Sequence, residues 1–106
     1  MQFTEFHKLI EERSKIHPDN DLATEKQWKK MTEKFSADID KTILFLNECT
    51  ADEFSWLSEI FDDIAEKTQS KKFISAVRKT AEKFPEECKE YPDIYYSIDC
   101  AEHWIK

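Results

Sequence analysis

The chain has 106 residues, of which 40% are hydrophobic and 37% charged, and its formal net charge is −7. This length holds one hydrophobic core, and eight Phe, three Trp and three Tyr supply apolar surface for it, so we expect a single domain over residues 1–106. No glycine is present, which disfavours sheet-rich folds and excludes the glycine-rich loops of nucleotide-binding motifs, while the acidic balance disfavours nucleic-acid binding.

The first half of the chain predicts three helices. Helical spacing predicts helix one over about 3–16, with a stripe formed by Phe3, Phe6, Leu9 or Ile10, Arg13 and Ile16. Residues 19–21 offer a cap for helix two, over about 22–35, whose face carries Leu22, Trp28, Met31 and Phe35. Either Ser36 caps helix three or the helix runs on through it, and its apolar positions are Ile39, Ile43, Leu44 and Leu46.

The second half predicts two more helices and a tail interrupted by prolines. Thr50-Ala51-Asp52-Glu53 has the form of a capping box and starts helix four, which we expect to run to about residue 67. A short connection at 68–70 leads to helix five, over about 71–84, and predicts an antiparallel hairpin of the two. Beyond Pro85 we expect a helical turn at 86–90 and an irregular or short helical segment at 91–96, before residues 99–105. The fold class is therefore all-α, a compact bundle or short solenoid-like stack of about five to seven antiparallel helices.

The predicted location and chemistry of the protein follow mainly from sequence motifs that it lacks. No leader-like or membrane-spanning stretch is visible, and the three cysteines are odd in number and widely spaced, which favours the cytoplasm. No nucleophile motif occurs, and the only local metal candidate, Cys100 to His103, lacks a second ligand pair. We therefore predict a protein that is not an enzyme and needs no cofactor or metal.

The most informative segment is the acidic stretch from Glu48 to Glu66. It contains no Lys or Arg and seven acids, which equal the net charge of the whole chain: Glu48, Asp52, Glu53, Glu59, Asp62, Asp63 and Glu66. On a helical wheel Trp56 falls at the edge of the apolar face, beside carboxylates. It either widens the core or anchors an interface, since an aromatic ring bordered by acids is typical of binding hot spots.

A second candidate surface is the tail, where the tyrosines Tyr91, Tyr95 and Tyr96 lie among further acids. Tyrosine with carboxylate is typical of protein interfaces. The alternative is that Tyr95 or Tyr96 closes the end of the bundle, with its hydroxyl at the surface.

The second half of the chain resembles colicin DNase immunity proteins in the order of its elements. These are Thr50-Ala51-Asp52-Glu53-Phe54, an acidic helix, a helix ending at Phe84-Pro85, and Asp93-Ile94-Tyr95-Tyr96. The resemblance covers about half the chain, residues 50–106, and this chain has extra helices before it and no glycine around the tyrosine pair. In that family an acidic helix and a Tyr-Tyr helix bind the basic nuclease domain of the toxin. The resemblance implies contacts by Glu53, Asp62, Asp63, Tyr95 and Tyr96. The stretch 53–61 also resembles immunity proteins of contact-dependent and other polymorphic toxins.

We therefore expect a bacterial, cytoplasmic immunity protein that binds and neutralises a basic toxin domain such as a nuclease. Its predicted partner-binding residues are Asp52, Glu53, Trp56, Glu59, Asp62, Asp63, Glu66, Tyr91, Tyr95 and Tyr96. We expect no nucleic-acid, membrane or small-molecule partner. The alternative is a helical adaptor or regulatory module whose apolar groove accepts a partner helix, and a small metal-dependent hydrolase is a third class.

Overall fold

A computed structural model describes residues 3–90 and 93–106 of the chain, and these residues form helices and no strand. In chain order the helices are α1 (Thr4–Ser14), α2 (Asp21–Ala37), α3 (Ile39–Glu48), α4 (Ala51–Leu57), a 3-10 turn (Ser58–Ile60), α5 (Phe61–Thr68), α6 (Lys71–Ala81), α7 (Pro85–Glu90) and α8 (Asp93–His103). The predicted all-α fold class is confirmed.

The helices surround one continuous cluster of buried side chains, to which each of α1 to α8 contributes. Helices distant in sequence pack together: α1 against α4, α2 against α5, and α5 against α8. In a solenoid each unit contacts only its neighbours, so the arrangement is the bundle of the two predicted alternatives. The Cα radius of gyration is 12.8 Å.

Side-chain caps begin α2, α3, α4 and α6, and the sequence predicts those of α2 and α4. The Asn20 side chain accepts from the Ala23 N–H at 3.1 Å and begins α2. At α4 the predicted capping box forms, with Glu53 N–H donating to Thr50 Oγ1 at 3.1 Å and Thr50 N–H to the Glu53 carboxylate at 3.0 Å. The prediction that Ser36 caps α3 is wrong: Ser36 lies inside α2, and Asp38 accepts from the Lys41 N–H instead.

The predicted single helix over 51–67 is wrong, because the 3-10 turn interrupts it after Leu57. The Ser58 hydroxyl donates to the Ser55 carbonyl at 2.6 Å, a local bond of the kind that bends helices, and Ile60 leaves helical geometry with φ −122° and ψ 12°. Ile60 itself is fully buried, which fixes the turn in the core. One helical wheel therefore does not extend from α4 to α5.

Two residues assigned to apolar faces point outward. Leu22 is 66% exposed and Leu44 is 45% exposed, whereas the neighbouring Phe45 is fully buried against the rings of Phe6 and Phe35. Consecutive side chains on a helix point about 100° apart. The buried face of α3 lies one residue away from the predicted face, so Phe45 occupies the core position that the sequence assigns to Leu44.

The C-terminal third is more helical and packs differently than predicted. Helix α6 ends at Ala81 rather than at residue 84, and α8 is one continuous helix where an irregular or short helical segment at 91–96 is predicted before residues 99–105. Tyr91, predicted in that segment, lies outside the described residues. Helix α5 packs mainly on α8, whereas α6 packs on α3 and α8. The two helices meet each other less closely than the predicted hairpin implies, through the rings of Phe61 and Phe73, whose centroids are 6.0 Å apart.

The corner between α5 and α6 shows how a chain without glycine makes a left-handed turn. Gln69 follows α5 with φ 53° and ψ 33°, a conformation that costs a residue with a Cβ about 1–2 kcal/mol. Its side chain compensates: Nε2 donates to the Trp104 carbonyl at 2.9 Å, and Oε1 accepts from the Lys106 N–H at 2.8 Å. The corner therefore holds the C-terminal end of the chain.

The capping box gives a prediction about stability. We expect Thr50→Ala to lower the free energy of unfolding by about 1 kcal/mol, because the amide of Glu53 loses its acceptor. Chemical denaturation followed by circular dichroism measures this. Thr4→Ala is the matched control, since exposed Thr4 makes no side-chain hydrogen bond within the described chain, and an equal loss there would contradict the capping explanation.

Candidate functional site: an acidic and aromatic surface

One carboxylate of the acidic segment, Glu59, is bound inside the protein by Arg13. The Arg13 guanidinium donates from Nε to Glu59 Oε1 at 2.7 Å and from Nη2 to Oε2 at 2.8 Å, a two-point fork. The indole N–H of Trp28 donates to the same Oε1 at 3.1 Å. The Arg13 side chain is only 12% exposed, so this contact joins α1, α2 and the 3-10 turn away from bulk water.

Two indole rings flank the Arg13 guanidinium. Its central carbon lies 4.8 Å from the ring centroid of Trp56 and 5.9 Å from that of Trp28, within the range of cation–π attraction. We call Arg13, Trp28, Trp56 and Glu59 the indole cluster. It holds Trp56 in place from one side while the core contacts it from another.

A second predicted contact, Glu53, is also engaged within the chain. Its carboxylate completes the capping box and forms a short ion pair with Nδ1 of His7 on α1. Only 14% of the Glu53 side chain is exposed. Glu53 and Glu59 thus fasten the acidic segment to α1, and neither carboxylate is fully available to a partner.

The remaining acids of this segment differ. Five acids remain, and none of them forms an ion pair with a Lys, Arg or His of the described residues: Glu48, Asp52, Asp62, Asp63 and Glu66. Partial burial raises the pKa of the Asp63 carboxyl, and the neighbouring carboxylates of Asp62 and Glu66 raise it further. Three of these acids lie on α5, where none of them has a direct ion pair among the described residues, although Lys26, Lys29 and Lys67 line the same groove as Asp63 and Glu66.

Two concave sites lie beside the indole cluster, one lined by each tryptophan. The α2–α5 groove has a volume of about 800 Å³ and includes exposed Leu22, Trp28, four acids and three lysines. The smaller site, which we call the serine cleft, has a volume of about 350 Å³. Its lining is Asp52, Ser55, Trp56, Ser58, Glu59, Ile94 and Ser97.

The two alternatives for Trp56 each describe part of what the structure shows. Trp56 is half-buried: it packs against the core cluster and beneath Arg13, and it also lines the serine cleft. Ile60, one turn after Trp56 in the sequence, is fully buried in the core. Trp56 is therefore a fixed wall of a surface cleft.

Helix α8 brings the tyrosine segment next to the acidic segment. Ile94 and Ser97 line the serine cleft, and between them Tyr95 and Tyr96 are 43% and 67% exposed. Partial burial raises the pKa of the Tyr95 phenol, and the neighbouring Cys88 thiol adds to this shift. Neither tyrosine closes the bundle core, so the surface alternative describes them better.

Sequence reasoning missed several residues of this surface. Arg13 and Trp28 support it from α1 and α2, and the hydroxyls of Ser55, Ser58 and Ser97 line the cleft. The one available signal was Arg13, a charged residue on the otherwise apolar stripe of α1. An arginine on the buried face of a helix needs a carboxylate partner.

The described residues lack two other classes of functional feature, a metal site and a membrane span. No group of three or more His, Cys, Asp or Glu side chains is placed to hold a metal ion there. Nor does any described helix combine the length and apolarity that crossing a bilayer requires. Burial raises the pKa of the Cys49 thiol to about 12, which keeps it protonated and unreactive at neutral pH.

Comparison of the chain with protein-family models, with curated proteins and with solved structures found no match.

The indole cluster gives a second prediction. We expect Arg13→Ala to lower the free energy of unfolding by about 2–3 kcal/mol, because it leaves the Glu59 carboxylate without its fork and removes the cation between the indoles. Arg13→Lys should recover only part of this loss, since an ammonium group does not make a planar fork. Urea denaturation followed by tryptophan fluorescence measures both variants.

Lys15→Ala is the control for Arg13→Ala. Lys15 pairs with Glu11 at 2.8 Å on the exposed surface of the same helix, where solvent screens the pair. We expect no measurable change in stability. A similar loss for both variants would show that the indole cluster has no special role.

Asp63 gives a third prediction, on pH dependence. Because the carboxyl pKa of Asp63 is raised, the folded state holds this proton up to a higher pH than the unfolded state does. Ionisation of Asp63 therefore lowers the stability of the fold as pH rises past the unfolded pKa of about 3.9. Asp63→Asn should therefore raise Tm slightly at neutral pH and leave it unchanged at about pH 3, where both states are protonated. The effect is small because Asp63 is exposed.

Thermal unfolding at the two pH values measures the change for Asp63→Asn. Asp63→Glu, which keeps a carboxylate at the same position, is the control and should not give the same gain at neutral pH. A lower Tm for Asp63→Asn at neutral pH would contradict the assigned electrostatic cost.

Proposed function

We propose that this protein is a bacterial cytoplasmic immunity protein, which binds a cognate basic toxin domain, such as a nuclease, and neutralises it. The observation that carries the proposal is the set of four carboxylates without an ion pair among the described residues, Asp52, Asp62, Asp63 and Glu66, beside half-exposed aromatic rings. Neutralisation would be steric and electrostatic, so it needs no catalytic group, cofactor or metal in this chain.

Electrostatics support a cationic partner. In the described part of the chain the four carboxylates have no counter-charge at ion-pair distance, and the pKa of Asp63 is raised by partial burial first and then by the charges of Asp62 and Glu66. A surface rich in Lys and Arg supplies that counter-charge on binding, and it is also steered toward the acidic segment over long range.

Rigidity supports a protein partner. Trp56 is fixed by Arg13 and the core before any partner arrives, so binding it costs little additional side-chain entropy. Tyr95 and Tyr96 extend the aromatic area along α8. Rigid aromatic anchors beside charges are typical of tight protein interfaces.

The α2–α5 groove favours a second candidate, a helical adaptor that accepts a partner helix. Leu22 is 66% exposed at this groove and Trp28 lines it, which provides apolar contacts. An adaptor of this kind would bind mainly through apolar area, and its affinity would change little with salt.

The decisive experiment is co-expression with the basic protein encoded by the adjacent gene. We expect protection of cells from that protein, a stable complex on gel filtration, and an association rate that falls steeply as salt is raised. Absence of a complex, or a neighbouring gene whose product is not toxic, would overturn the immunity function.

Charge reversal separates immunity protein from adaptor. Asp63→Lys with Glu66→Lys should slow association with the toxin by about tenfold or more, because both steering charges change sign. The control is Asp40→Lys with Glu82→Lys, which changes the net charge equally at exposed positions on α3 and after α6. Equal effects of the two double variants would show that only net charge matters.

A further inference from the structure

We propose that the serine cleft receives one arginine side chain of the basic partner, an inference that rests on the proposed function. The cleft lies where α4, the 3-10 turn and α8 meet, at the junction of the acidic and tyrosine segments. The cleft is therefore a discrete concave site within the acidic and aromatic surface.

The charge of the cleft favours a cation. Its lining includes no Lys, Arg or His, and of its two carboxylates Glu59 is already paired with Arg13, so the charge open to a partner is that of Asp52. Asp52 is exposed and has no ion pair among the described residues. The α2–α5 groove, by contrast, already contains Lys26, Lys29 and Lys67, which oppose an entering cation.

The hydroxyls of the cleft favour a group with many donors. Ser58 donates to the Ser55 carbonyl, which leaves its own oxygen free to accept. The Ser55 and Ser97 hydroxyls have no hydrogen-bond partner within the described chain. A guanidinium offers five N–H donors in one plane, whereas an ammonium offers three around one point.

Trp56 and the size of the cleft complete the match. Arg13 already shows within this chain that a guanidinium stacks on Trp56 while it forms a fork with a carboxylate. The volume of about 350 Å³ is smaller than one turn of a helix, which is about 10 Å wide with a pitch of about 5.4 Å. One long, planar, cationic side chain is therefore the occupant that fits.

Titration of the ¹⁵N-labelled protein with N-acetylarginine amide tests the cleft directly. We expect saturable shifts of the Trp56 indole N–H and of the Ser55, Ser58 and Ser97 amides. N-acetylcitrulline amide, which has the same shape without the charge, should produce none, and N-acetyllysine amide should bind more weakly. Equal shifts with arginine and citrulline, or arginine shifts confined to other residues, would overturn the inference.

Asp52→Asn should weaken arginine binding by about tenfold, because a charge-assisted hydrogen bond becomes a neutral one. Asp40→Asn, another exposed first-turn aspartate, is the matched control and should leave binding unchanged. Both variants are also tested against the toxin.

The two proposals fail differently. A toxin complex that is insensitive to Asp52→Asn, together with no cleft shifts, overturns the arginine site and retains the immunity function. Cleft binding of the arginine probe without any toxin complex overturns the immunity function and retains the cation site.

Discussion

The contact between Arg13 and Glu59 is the constraint on which the functional surface depends. Its two residues are 46 positions apart in the sequence, and with Trp28 they join α1, α2 and the 3-10 turn. Without this contact each of the three elements would leave a polar side-chain group poorly solvated. Because the guanidinium also lies between two indoles, the ion pair and the aromatic packing fix each other's geometry. The walls of both concave sites are positioned by this single arrangement.

The acidic segment therefore has two kinds of carboxylate with different physical roles. Glu53 and Glu59 have partners on α1 and hold the segment onto the bundle. The acids on α5 have none within ion-pair distance in the described chain, and they repel one another. The basic partner that we propose would supply the counter-charge that these acids lack.

Local chemistry made most of the fold predictable, and long-range contacts explain most of the errors. The caps at Asn20 and Thr50 are encoded within four residues, so those helix starts were found from the sequence. The break after Leu57 depends on a serine hydroxyl and a core position for Ile60, which helical periodicity does not reveal. Seven clustered acids were visible in the sequence, but their division into anchored and free groups depends on Arg13 and His7, which lie far away in the chain.

The Gln69 corner has a consequence for how the folded state opens. Chain ends normally fray independently of the rest of a domain. Here the last residues are hydrogen-bonded to the side chain of a residue that also terminates α5 in a left-handed conformation. Release of the C-terminus removes the bonds that offset the strain at Gln69, so fraying of the tail and loosening of the α5–α6 corner form one cooperative opening unit, with shared protection against hydrogen exchange.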